Sequence, residues 1–233
     1  MSAEARILYL EDDADLGTLT AAMLRSDGFD VQWERNGTTG LARFKQHTFD
    51  LCVLDITMPG LDGYTLAERI RALAPDLPII FLSAHVLAED VVKGFTVGGD
   101  DYMRKPFSVE ELMARMSHLL KSRQPPQVQR TTWPIGSYTY DHGTYELRSA
   151  GGTVRLSPRA GELLLRLATH PERFLQRRET LLELWGDDSF FNGRSLDVFI
   201  TKLRKQLAGD PHIRILNIRG QGYKLIVDER RQT

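Results

Sequence analysis

Two hydrophobic rhythms divide the chain. Up to about residue 120, short apolar runs alternate with stretches whose apolar residues return every third or fourth position. The runs are Arg6–Leu10, Phe29–Glu34, Leu51–Leu54, Leu77–Leu82 and Tyr102–Arg104. Their brevity and aliphatic content fit strands buried in a parallel sheet. Between them, helical spacing predicts a helix from Ala14 (Leu16, Leu19, Met23 and Leu24), stopped by Gly28. Another covers Thr38–Gln46, with Leu41 and Phe44 inward, and a third carries Leu66, Ile70 and Leu73 before Pro75 and Pro78. A fourth runs from about Glu89 to Val97, ended by Gly98-Gly99, and Glu110–Leu120 is the last. Strands alternating one for one with helices imply a doubly wound parallel α/β domain with right-handed crossovers.

The rhythm then changes. Lys121–Thr131 has no apolar period and contains Pro125-Pro126, which is linker composition. Trp133–Leu156 alternates apolar and polar residues between turn signals, predicting three or four short antiparallel strands. Ser157-Pro158 opens a helix with the stripe Leu163, Leu164 and Leu167, and Arg178–Trp185 is a second, broken at Gly186. A third spans Arg194–Leu207, with Leu196, Phe199, Ile200, Leu203 and Leu207 on one face. Arg194, Val198, Thr201, Lys202 and Lys205 lie opposite. Ile213–Ile218 and Lys224–Val227, joined through Arg219-Gly220-Gln221-Gly222-Tyr223, form a hairpin, giving a separate α+β domain with an N-terminal antiparallel sheet.

Charge sharpens this division. The net charge of −1 conceals an acidic half, residues 1–122 with 12 Lys+Arg against 19 Asp+Glu, and a basic half with 18 against 12. That asymmetry suits a cation-binding or regulatory unit joined to a polyanion binder. With 42% apolar residues and no run long enough to cross a bilayer, a globular cytoplasmic protein without membrane partners is expected. The N-terminus lacks signal-peptide features, and the single cysteine, Cys52, reads as a small core residue.

The strand ends carry the chemistry. They offer Glu11 and Asp12, then Asp55, Ser83 and Lys105, and in a doubly wound sheet these loops converge. Clustered carboxylates repel unless a cation joins them, and oxygen ligands with open positions suit Mg²⁺. Asp55 is then placed to attack phosphorus, with the metal and Lys105 stabilising the developing charge. Taken singly, Asp12 and Asp13 also read as helix caps, Lys105 as a solvated group and Tyr102 as a half-buried strand tyrosine. In the second half, the basic helix face fits the major groove of double-stranded DNA, with Val198 against a thymine methyl and Arg219 reaching the minor groove. Ordinary solvated lysines are the alternative for that face taken alone.

Residues 5–121 resemble the receiver domain of two-component response regulators, a flavodoxin-like fold. The resemblance rests on Leu10-Glu11-Asp12-Asp13, Asp55-Ile56-Thr57-Met58-Pro59-Gly60, Ser83-Ala84, Gly98-Gly99-Asp100-Asp101-Tyr102 and Lys105-Pro106-Phe107. It implies Asp55 as phosphoacceptor for a sensor histidine kinase. Mg²⁺ would be held by Asp12, Asp55 and the Thr57 backbone carbonyl, with Glu11 acting through water. Ser83 and Lys105 would hold phosphoryl oxygens, and Tyr102 would turn inward as a switch. Residues 131–229, after a 122–130 linker, resemble the winged-helix effector of the OmpR/PhoB family. The strings are Leu156-Ser157-Pro158, Leu182-Glu183-Leu184-Trp185-Gly186, Arg194-Ser195-Leu196-Asp197-Val198, Leu203-Arg204-Lys205 and Arg219-Gly220-Gln221-Gly222-Tyr223.

That family implies binding to direct-repeat half-sites about 10–11 base pairs apart. It also implies contact of Gly186–Gly193 with RNA polymerase, or alternatively with the receiver. A phosphorylated homodimer would form through the fourth helix, fifth strand and fifth helix, with Asp100, Asp101, Glu111 and Arg115 as its charged residues. Val91 and Ser122 stand where basic residues are expected, so the usual set is incomplete. Phe199 falls on the packed side where relatives carry polar groups. Two rivals remain. A phosphohydrolase of haloacid-dehalogenase type needs a second acid where Thr57 stands, and a constitutive DNA binder would have no use for the Asp12, Asp55, Ser83 and Lys105 set.

Overall fold

The computed structural model describes residues 5–84, 93, 94, 96–121 and 131–228. The chain divides into two compact units, Met1–Leu120 and Lys121–Thr233. In the first, β1 (Arg6–Leu10), β2 (Asp30–Glu34), β3 (Leu51–Asp55), β4 (Ile79–Ser83) and β5 (Asp101–Arg104) form one sheet in the order β2-β1-β3-β4-β5. Every pairing is parallel. The crossover helices α1 (Ala14–Ser26), α2 (Gly37–Gln46) and α3 (Gly63–Leu73) precede β2, β3 and β4, and α4 (Val109–Lys121) follows β5. The fourth helix expected near 89–97 lies mostly outside the described residues, with Lys93, Gly94 and Thr96 helical. Residues 122–130, expected as a linker, also lie outside them.

Burial explains why the apolar runs became strands. All residues of β3 and β4 are buried, as the unbroken runs Leu51–Leu54 and Ile79–Leu82 require of a sheet covered on both faces. Each crossover helix starts on an acceptor side chain: Asp13 for α1, Asn36 for α2 and Asp62 for α3. Two positions depart from the apolar stripes expected of them. Leu19 and Leu73 are both 58% exposed. In α1 the buried face is Gly17, Thr20, Ala21 and Leu24, so small residues let that helix lie close to the sheet.

The second unit opens with a four-stranded antiparallel meander, β6 (Thr132–Ile135), β7 (Tyr138–Asp141), β8 (Glu146–Ser149) and β9 (Gly152–Arg155). Then come α5 (Pro158–Thr169), β10 (Phe174–Gln176), α6 (Arg177–Trp185), α7 (Phe190–Gln206), β11 (Ile213–Ile218) and β12 (Gly222–Val227). The last three strands form an antiparallel sheet in the order β10-β12-β11. Ser157 caps α5 and Pro158 occupies its first turn, as expected. Leu163, Leu164 and Leu167 of α5 are wholly buried, as are Leu196, Phe199, Ile200 and Leu203 of α7. Each such side chain stabilises the fold by roughly 1.5–3 kcal/mol.

The expected start of α7 at Arg194 is corrected to Phe190. Ser189 caps the helix, and Asp187 Oδ1 accepts from Ser189 N (2.8 Å) and Asn192 Nδ2 (2.7 Å). This local bonding draws residues 190–193 into the helix and shortens the expected 186–193 loop to Gly186–Ser189. Gly186 ends α6 at φ +85°, a conformation costly for any residue with a Cβ. Among the described residues no helix is long and apolar enough to cross a membrane.

Candidate functional site

The strand order places β1 and β3 side by side while their following crossovers diverge, so the switch point of the sheet lies between them. Glu11 and Asp12 follow the end of β1, and Asp55 ends β3. Glu11 is fully buried and Asp55 is 4% exposed. One oxygen each from Glu11, Asp12 and Asp55 lies within 4.8 Å of the others. Thr57 N donates to Asp55 Oδ1 (3.1 Å), which orients the carboxylate and turns Oδ2 to the Lys105 ammonium at 2.6 Å. The same ammonium lies 2.7 Å from Glu11 Oε1 and 2.6 Å from Oε2. Lys105 arrives there because its own N–H donates to Ser83 O (2.7 Å) at the end of β4, where Ser83 is buried. The sequence-derived set Glu11, Asp12, Asp55, Ser83 and Lys105 is therefore brought together.

Its electrostatics are lopsided. Burial pushes the Glu11 carboxyl up, and the hydrogen bond and charge of Lys105 only partly oppose this. Burial would lower the Lys105 ammonium, but its hydrogen bonds to Asp55 and Glu11 outweigh that and hold it above its ordinary value. Asp13 is held below the usual carboxylate range by the N–H groups of Leu16 and Asp15, so it serves the helix rather than the cluster. One ammonium facing three carboxylates leaves an excess of negative charge, and the donors are all hard oxygens. Such a set fits a divalent cation of the Mg²⁺ type, as receiver domains generally use at their acidic pocket.

Tyr102 is 2% exposed with its ring tilted on Phe81 at 6.4 Å, so it already lies inward with Asp55 unmodified. The residues expected to present charge at a dimer face are placed differently. Asp100 is wholly buried, accepting from Ile79 N and Arg71 Nη2, both at 3.0 Å. Asp101 is also wholly buried and accepts from Arg115 Nη1 (3.0 Å) and Tyr102 N (2.8 Å). Arg115 also bonds Glu111 Oε1 (2.6 Å). Of the four residues expected as charged members of a dimer face, Asp100 and Asp101 are engaged by groups of the same chain and Arg115 is 6% exposed, while Glu111 keeps 42% of its side chain exposed. Val91 and Ser122 lie outside the described residues.

In the second unit, α7 packs as its pattern required. Arg194, Thr201 and Lys205 are exposed and Val198 and Lys202 half-buried, with Lys202 Nζ 5.7 Å from the Phe199 ring centre. Phe199 itself is fully buried against Trp185. Arg219 is exposed in the turn between β11 and β12. Arg204, also basic and on this helix, donates instead to Ile215 O (2.9 Å) and ties α7 to β11. A network unseen in the sequence joins these parts. Arg177 bonds Asp197 Oδ1 (2.6 Å), Gly193 O (2.9 Å) and the Tyr223 hydroxyl (3.2 Å), and that hydroxyl donates to Asp197. Burial and then the Asp197 carboxylate push the Tyr223 phenol up to about 12, keeping it a donor at neutral pH. The mixed charge of Arg177 and Asp197 at distant positions was the only signal, and nothing in spacing links them.

Residues 7–117 match the response regulator receiver domain, and residues 151–225 match the transcriptional regulatory protein C-terminal domain. The chain is 42% identical to the transcriptional regulatory protein RprY of Bacteroides fragilis, over 98% of both chains. It is 35% identical to the phosphate regulon transcriptional regulatory protein PhoB of Rhizobium meliloti, over 94% of this chain and 98% of the relative. The response regulator DrrB, described as a Thermotoga maritima OmpR/PhoB homolog, superposes with a TM-score of 0.52 at 27% identity, covering 96% of this chain and 99% of its own. With an acidic strand-end cluster in one unit and a basic-faced helix beside a hairpin in the other, the chain belongs to the OmpR/PhoB family of two-component response regulators, transcription regulators rather than enzymes.

Proposed function

We propose that Asp55 accepts a phosphoryl group from a partner histidine kinase and that this modification switches DNA binding by the second unit. The observation supporting it most directly is the convergence of Glu11, Asp12, Asp55 and Lys105 within bonding reach at the carboxyl ends of β1, β3 and β5. In this reading Asp12, Asp55 and the Thr57 carbonyl hold Mg²⁺, with Glu11 acting through water. Bound there, the cation supplies charge neutralisation for incoming phosphoryl oxygens. Asp55 Oδ2 attacks phosphorus in line with the leaving nitrogen of the donor, and Asp55 Oδ1 stays oriented by Thr57 N. Lys105 shifts from the free carboxylate to a phosphoryl oxygen, keeping its charge near the group. The Ser83 hydroxyl bonds a second oxygen. The Tyr102 ring already lies inward with Asp55 unmodified, so an inward turn on phosphorylation is not part of this reading.

The domains of this reading are the receiver at 5–121, a linker at 122–130 and the winged-helix effector at 131–229. Arg194, Val198, Thr201, Lys202 and Lys205 face the major groove, and Arg219 on the hairpin enters the minor groove. Phosphorylation pairs two copies on direct-repeat half-sites through the face carrying Glu111 and Arg115, and the short Gly186–Ser189 loop meets RNA polymerase. The test is promoter binding with and without acetyl phosphate, for the native chain and Asp55→Asn. Donor-dependent tightening in the native chain alone is expected. Equal tightening in both, or none in the native chain, overturns the switch.

A further inference from the structure

The acidic turn is gripped from the side by the end of β2. Trp33 Nε1 donates to Glu11 O (2.9 Å). Two residues on, Arg35 donates to Asp12 O from Nη2 (3.0 Å) and Nε (3.3 Å). Glu11 N in turn donates to Glu34 O (3.2 Å). Trp33 in β2 and Arg35 just after it thus bond both carbonyls of the turn that carries two of the three clustered carboxylates. The Trp33 ring reaches Glu11 by packing against α1 at Gly17. A Cβ at Gly17 would stand 2.2 Å from Trp33 Cζ2 and 2.7 Å from Nε1. A glycine inside a helix weakens it, and here the missing side chain is the room the indole occupies.

We propose that Trp33 and Arg35 are positioning residues for the cation and phosphoryl site, fixing the Glu11–Asp12 backbone so that both carboxylates face Asp55. Neither side chain contacts the reacting atoms. Each acts through a main-chain carbonyl, in the way that outer partners orient metal ligands. Without them the turn samples orientations in which Asp12 leaves the cluster, and the cation must restore the order when it binds. Gly17 belongs to the same device because it admits the indole. The inference rests on the cation reading of the site given above.

The experiment titrates Mg²⁺ into the full chain by calorimetry, with Asp12→Ala as the control that removes a ligand. Trp33→Phe keeps an aromatic ring without the N–H donor, Arg35→Ala removes the second grip at an exposed position, and Arg35→Lys retains one donor. Gly17→Ala crowds the indole while improving the helix. Thermal melting without divalent cation is followed in parallel. Mg²⁺ affinity should fall about tenfold in Trp33→Phe and in Arg35→Ala, the lower end for lost outer partners. It should fall in Gly17→Ala as well, with a modest drop in melting temperature because the added methyl displaces the indole, and recover partly in Arg35→Lys. The rate of phosphorylation by acetyl phosphate at saturating Mg²⁺ should return close to that of the native chain. Affinities within twofold of native in both Arg35→Ala and Gly17→Ala overturn the proposal, leaving Trp33 a packing residue. If the native chain binds Mg²⁺ no better than Asp12→Ala, the cation reading itself falls, and the proposal with it.

Discussion

Replacing Lys105 with alanine isolates the lopsided electrostatics of the acidic cluster. The Lys105 side chain is 16% exposed, and its ammonium stands 2.6 Å from Asp55 Oδ2 and from Glu11 Oε2, carboxylates whose side chains are 5% and 0% exposed. Removing one partner of such buried pairs leaves uncompensated charge, a loss of about 3–5 kcal/mol. Taking about 3 kcal/mol, the ratio of folded to unfolded first unit falls roughly a hundredfold, with melting lowered by roughly 10 °C. The sign with pH follows from the Lys105 shift. Its folded pKa is raised, so its contribution is present below the unfolded lysine value and is lost as pH rises through the folded one. At the acid end, protonating the carboxylates dissolves the pairs, and variant and native chain converge.

Mg²⁺ supplies the missing positive charge, so it should stabilise Lys105→Ala by more than it stabilises the native chain. Hydrogen exchange read by mass spectrometry separates β1, β3 and β4 from the second unit and gives both numbers. A variant within about 0.5 kcal/mol of native at pH 7 without divalent cation, in the range of ordinary surface substitutions, would refute the argument. So would an Mg²⁺ gain no larger than that of the native chain.

Three other outcomes follow from the second unit. Asp210 accepts from Ser137 N (2.8 Å) and His212 N (2.9 Å), and the Ser137 side chain, then these N–H groups, hold its carboxyl at about 2. A depressed folded pKa contributes stability that is present above the unfolded aspartate value and lost as pH falls toward 2. Denaturation of Asp210→Ala should therefore differ from native at pH 7 and converge with it in strong acid. Leu203→Ala, at a fully buried position, should cost about 2–5 kcal/mol in unfolding free energy. Lys205→Ala should leave stability within about 0.5 kcal/mol but lower the slope of log DNA affinity against log salt by about 1, as loss of one phosphate contact requires.

The strands β1, β3 and β4 were legible because each carries an unbroken apolar run ended by a residue of different chemistry, as at Asp55 and Ser83. The site followed from the topology, since parallel order alone brings those ends together. Helix faces were less legible. Leu19 and Leu73 matched helical spacing yet point to solvent, because spacing does not distinguish a buried leucine from one at the margin of the stripe. The start of α7 was missed because Gly193 and the Gly186–Ser189 turn residues resemble one continuous loop, whereas Asp187, Ser189 and Asn192 cap one another. The burial of Asp100 and Asp101 was not legible, because a sequence does not show that Arg71 and Arg115 close over them. Trp33 and Arg35 gave no signal either, since their partners are main-chain carbonyls that any sequence possesses.

The most direct measurement is the intact mass of the full chain after incubation with Mg²⁺ and acetyl phosphate, beside Asp55→Ala and a sample with chelator. One added phosphoryl group in the native chain, absent from both controls, is the expected result. A native chain that gains no adduct and binds no beryllium fluoride, or an Asp55→Ala chain that is modified equally, contradicts the account of Asp55 as the group on which the switch turns.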